Sequence, residues 1–201
     1  MYITWKKSLL SLIAVLFLAS CANEKVVEHP PISFTRYMPI FLNVASIQYM
    51  DEYKSPLRPP YVEHLLPYSP AEAVRIWVKD RIRAVGPDKS LHVIIKNASV
   101  KASVLHKDNS IEDFFTIDQD KRYDAELDLE LRIYGPNSAL SEASITVSVR
   151  RPISLSENAS AYRRNSAFRE MIGSMMEAAN AELEKNIFQY MGGHINYSQN
   201  P

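Results

Sequence analysis

Tyr123-Asp124-Ala125-Glu126-Leu127-Asp128-Leu129-Glu130-Leu131-Arg132-Ile133 decides the fold of this chain. Apolar residues occupy every odd position and charged residues every even one. Side chains on a strand alternate between the two faces of the sheet, so this segment predicts a strand with one buried and one solvated face. A sheet of that kind needs a layer over its apolar side only. Gly135-Pro136-Asn137-Ser138 predicts a turn after it, and Ala143, Ile145, Val147 and Val149 alternate with Ser and Thr in a following strand. On the upstream side, Leu91, Val93 and Ile95 alternate, and Ala98, Val100, Ala102 and Val104 continue on the opposite parity. A parity switch inside one apolar run implies a bulge. These three strands predict an antiparallel meander.

Helices supply the covering layer. Ser69 is placed to cap a helix with Pro70 at its first position and Glu72 at the capping-box position. Val74, Trp77, Val78, Ile82 and Val85 recur at spacings of three and four, and Gly86-Pro87 is expected to end the element. A second, longer helix follows the meander, capped by Ser156 or Asn158 and terminated by Gly192-Gly193. Its apolar stripe runs through Phe168, Met171, Ile172, Met175, Ala179, Leu183, Ile187 and Tyr190. A first strand opens the domain with Ile40, Leu42 and Val44, then Ile47 and Tyr49 on the other parity, which predicts a bulge near Ala45-Ser46. The expected architecture is α+β, a two-layer sandwich in the order β-α-β-β-β-α, with a four-stranded mainly antiparallel sheet and two helices on one face.

The N-terminus reads differently. Lys6 and Lys7 precede an apolar run from Ser8 to Ala19, which is too short for a bilayer span of about 20 residues. A basic start, an apolar centre and a small-residue end make up a secretory signal. Leu18-Ala19-Ser20-Cys21 resembles the lipobox of bacterial lipoproteins, and the resemblance implies recognition of Leu18, Ala19 and Ser20 by a signal peptidase and lipidation of Cys21. Cys21 is the only cysteine in the 201 residues, so no disulfide is available to the domain. The expected organisation is a signal peptide over 1–20, a lipidated cysteine and tether over 21–37 (with Pro30 and Pro31), an α+β periplasmic domain over 38–191, and a flexible tail over 192–201. No aspartate follows Cys21, which by the same resemblance favours the outer membrane, facing the periplasm. The bilayer, reached through acylated Cys21, is then the first partner.

Charge excludes one class. Removal of residues 1–20 takes Lys6 and Lys7 and leaves 21 basic against 23 acidic residues, without the basic excess of a nucleic-acid binder. His29, His64, His92, His106 and His194 are scattered and show no pair at ligand spacing, so neither a metal nor a cofactor is expected. Asp118, Asp120 and Asp124 lack the glycine and distal glutamate of a calcium loop. Neither a phosphate-binding glycine loop nor a nucleophile elbow occurs, and no catalytic residue is assigned.

Two segments stand out as partner-binding candidates. One is the proline- and tyrosine-rich connection from Asp51 to Ser69, with Tyr53, Tyr61 and Tyr68, which either recognises a partner or packs across its own sheet. The other is the apolar stretch with Ile111, Phe114 and Phe115, between two strands where polar turn residues are usual. In layout, residues 38–191 resemble the lipopolysaccharide-assembly lipoprotein and the auxiliary lipoproteins of lipid-handling ABC transporters. The resemblance implies a non-catalytic binding or accessory subunit of a transport or assembly complex, with an envelope protein as partner. An enzyme acting on wall or lipid substrates, and a purely structural surface lipoprotein, remain the alternatives.

Overall fold

The computed structural model describes residues 31–105 and 120–199. Leu18, Ala19, Ser20 and Cys21, and Ile111, Phe114 and Phe115, lie outside the described residues. The elements are β1 (Ile40–Leu42), β2 (Ser46–Asp51), α1 (Pro70–Arg81), β3 (Ile82–Ala84), β4 (Ser90–Leu105), β5 (Asp120–Tyr134), β6 (Ser141–Ser156) and α2 (Ala161–Tyr190). Four strands form the main sheet in the order β2-β4-β5-β6, and β1 pairs with β3 in a separate two-stranded sheet. The architecture is α+β, as expected. The main sheet is mixed, because β2 runs parallel to β4 while β4/β5 and β5/β6 are antiparallel.

The alternation in β5 does what it predicts. Leu127, Leu129, Leu131 and Ile133 are fully buried, and they join Trp77, Ile172, Met175, Leu183 and Ile187 of the helices in one core. The opposite face carries ion pairs such as Arg132–Glu130 at 2.5 Å and Lys101–Glu126 at 3.7 Å. The bulge in β4 falls between Ile95 and Asn97. There the side chain of Asn97 accepts a hydrogen bond from Ser99 N at 3.2 Å, which stabilises the irregular turn of backbone.

α1 starts on a complete capping box: Ser69 Oγ accepts from Glu72 N, and the Glu72 carboxylate accepts from Ser69 N at 2.7 Å. The helix ends at Arg81, five residues short of Gly86. Ile82 is buried in β3 against β1, and Val85 is exposed, so neither continues the helical stripe. Backbone pairing with Ile40–Leu42 outcompetes one more helical turn. That same pairing corrects the single bulged first strand. The chain turns at Asn43–Ala45, with Val44 N bonded to Leu42 O and Ala45 N to Lys89 O, and it passes from the small sheet into the large one.

α2 is capped four residues after the earlier of the two expected caps, with Ser160 Oγ accepting from Arg163 N. β6 itself runs on to Ser156, where the chain turns with Ala159 N bonded to Ser156 O, and Pro152 is accommodated because β6 is an edge strand that needs no donor on its outer side. Tyr190, expected on the buried stripe, is exposed at the last turn. The two helices are joined by Trp77 Nε1, which donates to Asn180 Oδ1 at 2.8 Å in the interior.

Both expected ends of the domain move outward. Phe34, placed in the tether by sequence, is 1% exposed, and its N–H donates to Asp80 Oδ2 at 2.7 Å. The expected flexible tail is docked through its first residues. Gly192–His194 form a 3-10 turn, Ile195 is buried and bridges to Leu42, and Asn43 N donates to His194 O at 2.7 Å.

His194 is expected to make the stability of this docked fold depend on pH. Burial holds its imidazole below the ordinary pKa, the nearby Lys89 ammonium adds to this, and Glu142 offsets part of it. A histidine with a lowered pKa in the fold stabilises the protein above its unfolded value of about 6.5, and the contribution is lost as pH falls below that value. The melting midpoint is therefore expected to decline below about pH 6.5, and His194→Gln should flatten the decline. An identical pH profile in the variant would assign the dependence to other groups.

Candidate functional site

Tyr53, Tyr61 and Tyr68 are each half-buried and held by intramolecular contacts. Tyr53 OH donates to Glu63 Oε1 at 2.6 Å. Tyr61 bridges to Lys101, whose ammonium lies 5.7 Å from the ring centre. Tyr68 OH donates to Arg169 O at 3.5 Å, with the Arg169 guanidinium 5.4 Å from the ring. The structure does not bring the three rings into a common site. They fasten the connection across β4 and onto α2.

Glu63 is the buried anchor of this connection, 3% exposed. Burial pushes its carboxyl pKa upward, but hydrogen bonds from Ser55, Tyr53 and the Val100 N–H outweigh burial and hold it below the ordinary carboxylate value. The Val100 N–H reaches Glu63 Oε2 at 3.2 Å. Glu63→Ala is expected to lower stability by about 1–3 kcal/mol, because it leaves that buried N–H and the Tyr53 hydroxyl without an acceptor. Chemical denaturation of the variant checks this; a loss well below 1 kcal/mol would mean that water replaces the carboxylate.

The connection also forms one wall of a groove of about 490 Å³, within the roughly 300–1,000 Å³ common for ligand sites. Pro59 and Pro60, joined by a cis peptide, stand at its rim beside Leu65 of the 3-10 turn Glu63–Leu65 and Leu66 just after it. The floor is the apolar face of the sheet at its far end, Ala102 and Val104 of β4 and Tyr123 of β5. The opposite wall is the start of α2, where Phe168 meets Tyr123 edge-on with ring centres 4.9 Å apart. β4 runs past the cover that α1 provides, so its last inward-facing residue, Val104, remains open. Leu65 is 68% exposed and Val104 44%.

Lys121 and Arg164 are the charged residues among those lining the groove. Lys121 pairs with Glu157 at 3.0 Å, and Arg164 Nη1 donates to the Ala159 carbonyl at 2.7 Å. Sequence reading missed this groove. Its one local signal was Val104, which prolongs an inward parity beyond the reach of the predicted helices. Among the described residues, no group of three or more His, Cys, Asp or Glu side chains is placed to hold a metal ion. No helix among them is long and apolar enough to cross a membrane.

No family model matches the sequence, and no curated protein matches it. Solved structures similar to it include a minor lipoprotein from Acinetobacter baumannii, with 6% identity and a TM-score of 0.38 over 73% of this chain and 92% of that one. A Xanthomonas campestris protein of family DUF330 has 13% identity and a TM-score of 0.36 over 79% of this chain and 93% of that one. The rare lipoprotein B from Shewanella oneidensis has 14% identity and a TM-score of 0.31 over 71% of this chain and 98% of that one. Likeness at this level transfers no function between the chains.

Proposed function

We propose that this protein is an envelope lipoprotein, tethered through acylated Cys21, that acts by binding rather than catalysis as an accessory subunit of a transport or assembly complex in the outer membrane. The observation that carries the binding part is the apolar groove, open to solvent on a domain whose remaining apolar residues are largely gathered into one core. Contiguous apolar surface left uncovered by the fold marks interaction sites. The anchoring part rests on Leu18-Ala19-Ser20-Cys21 and on the absence of any other cysteine. One acyl chain holds a protein to a bilayer only marginally, and the two or three chains of a lipoprotein cysteine make the attachment durable.

Cys21→Ser is expected to abolish incorporation of a fatty-acid analogue into the protein and to leave it unprocessed. Equal labelling of wild type and variant would sink the anchor. Affinity capture of the wild-type chain from solubilised envelopes is expected to recover a defined membrane protein. Recovery of none would favour a structural surface role.

A further inference from the structure

We propose that the groove takes the hydrocarbon chain of an anionic single-chain amphiphile, a long-chain fatty acid, with its carboxylate at Lys121 and Arg164. The inference rests on the reading of the domain as a binding module and names what its groove holds. Three features of the site select this ligand. The first is charge. Among the described residues, the two charged side chains that line the groove are both cations, and Lys121 pairs with Glu157. α2 presents its first turn there through Ala161, and that turn contains no acidic residue. An anionic head is favoured at that end and a cationic one is not.

The second feature is that the backbone groups of Pro60, Val62, Val100 and Ala102 are bonded to one another. Ala102 pairs with Tyr123 and Val104 with Lys121 in the β4/β5 ladder. On the other side, Val62 N donates to Val100 O and Ala102 N to Pro60 O, both at 2.8 Å. Pro59 and Pro60 have no N–H to offer. A peptide lying along Pro60–Val62 would find those groups already taken, and any amides it buried there without partners would be penalised. A hydrocarbon chain has no such groups. The third feature is the exposed apolar lining: the Leu65 and Val104 side chains are left in water by the fold, and covering them is favourable.

The test uses the full-length chain in isolated membranes, with palmitic acid bearing a diazirine as the probe. After irradiation and digestion, adducts are expected on the peptides holding residues 102–104 and 161–168. Leu65→Asp with Val104→Asp alters two exposed positions, so the fold is retained, and adduct yield should fall at least tenfold at an unchanged melting midpoint. Lys121→Gln with Arg164→Gln should reduce labelling by the acid and leave labelling by the methyl ester of the same probe unaltered. Adducts scattered over the surface, or equal labelling by acid and ester in the wild type, would overturn the assignment. A benzoylphenylalanine placed at Val104 adds the remaining outcomes. A crosslink to another protein, to a second copy or to residues 106–119 of the same chain would also overturn it. The lipid on Cys21 is read in the same digest. Groove adducts missing while Cys21 is acylated reject the ligand alone, and an unmodified Cys21 rejects the anchor instead.

Discussion

Gly86→Ala is expected to destabilise the fold by about 3 kcal/mol or more, at or beyond the upper end of the cost of overpacking. A Cβ at this position would stand 2.5 Å from Val44 N and 2.7 Å from Asn43 Cα, and nearer still to the Asn43 carbonyl carbon. All three obstacles are backbone, so no rotamer change relieves them. The approach is close because Gly86 N donates to Val44 O at 2.9 Å, one step beyond Val85 N to Leu42 O at 3.0 Å. These bonds tie the exit of β3 to the turn that sends the chain from the small sheet into the large one. Moving them apart would disturb β1, β3 and the docking of Ile195 together. Thermal unfolding of the variant checks the expectation. A midpoint within a degree or so of the wild type would mean that the turn yields without cost to its neighbours.

Leu129→Ala is expected to cost about 2–5 kcal/mol, the range for removing a fully buried leucine whose site cannot collapse. Leu129 is 0% exposed, with Ile95 on one neighbouring strand and Val147 on the other. A central strand with partners on both sides cannot shift to fill the void, so the upper part of the range applies. Asp128→Ala is the control, because its side chain belongs to the solvated face. Denaturant unfolding should separate the two variants clearly. Equal stabilities would contradict the burial of the odd-numbered face.

Much of this architecture was legible because the responsible forces act locally. The parity of Tyr123 to Ile133 assigned both faces of the sheet, and the parity switch after Ile95 located the bulge to within a residue. Ser69, Pro70 and Glu72 set the start of α1, because a capping box is made by groups three residues apart. Errors collected where a distant segment competed. Ile82 fits a helical stripe as well as a strand, and pairing with Ile40, 42 residues earlier in the chain, decided between them. Ser156 and Asn158 are sound caps by type, but pairing of β6 with β5 as far as Asp120↔Ser156 held that stretch extended.

The candidate site divides along the same line. Leu18 to Cys21 is a contiguous motif, readable because the enzymes that process such segments read a short linear stretch. The groove is assembled from the connection near Pro59, the ends of β4 and β5, and the first turns of α2, none of which is unusual by itself. Phe34 and Ile195 lie outside the periodic segments, and only their burial shows that they belong to the core. The sequence by itself determined the signal-like start, the one-faced sheet, the capped helix and the single cysteine, since each follows from neighbouring residues. Tertiary structure alone decided the split of the first strand, the parallel placement of β2, the docking of both ends and the uncovered strip of sheet. Those depend on which segments meet across long stretches of chain, where competing pairings differ by packing that no local pattern records.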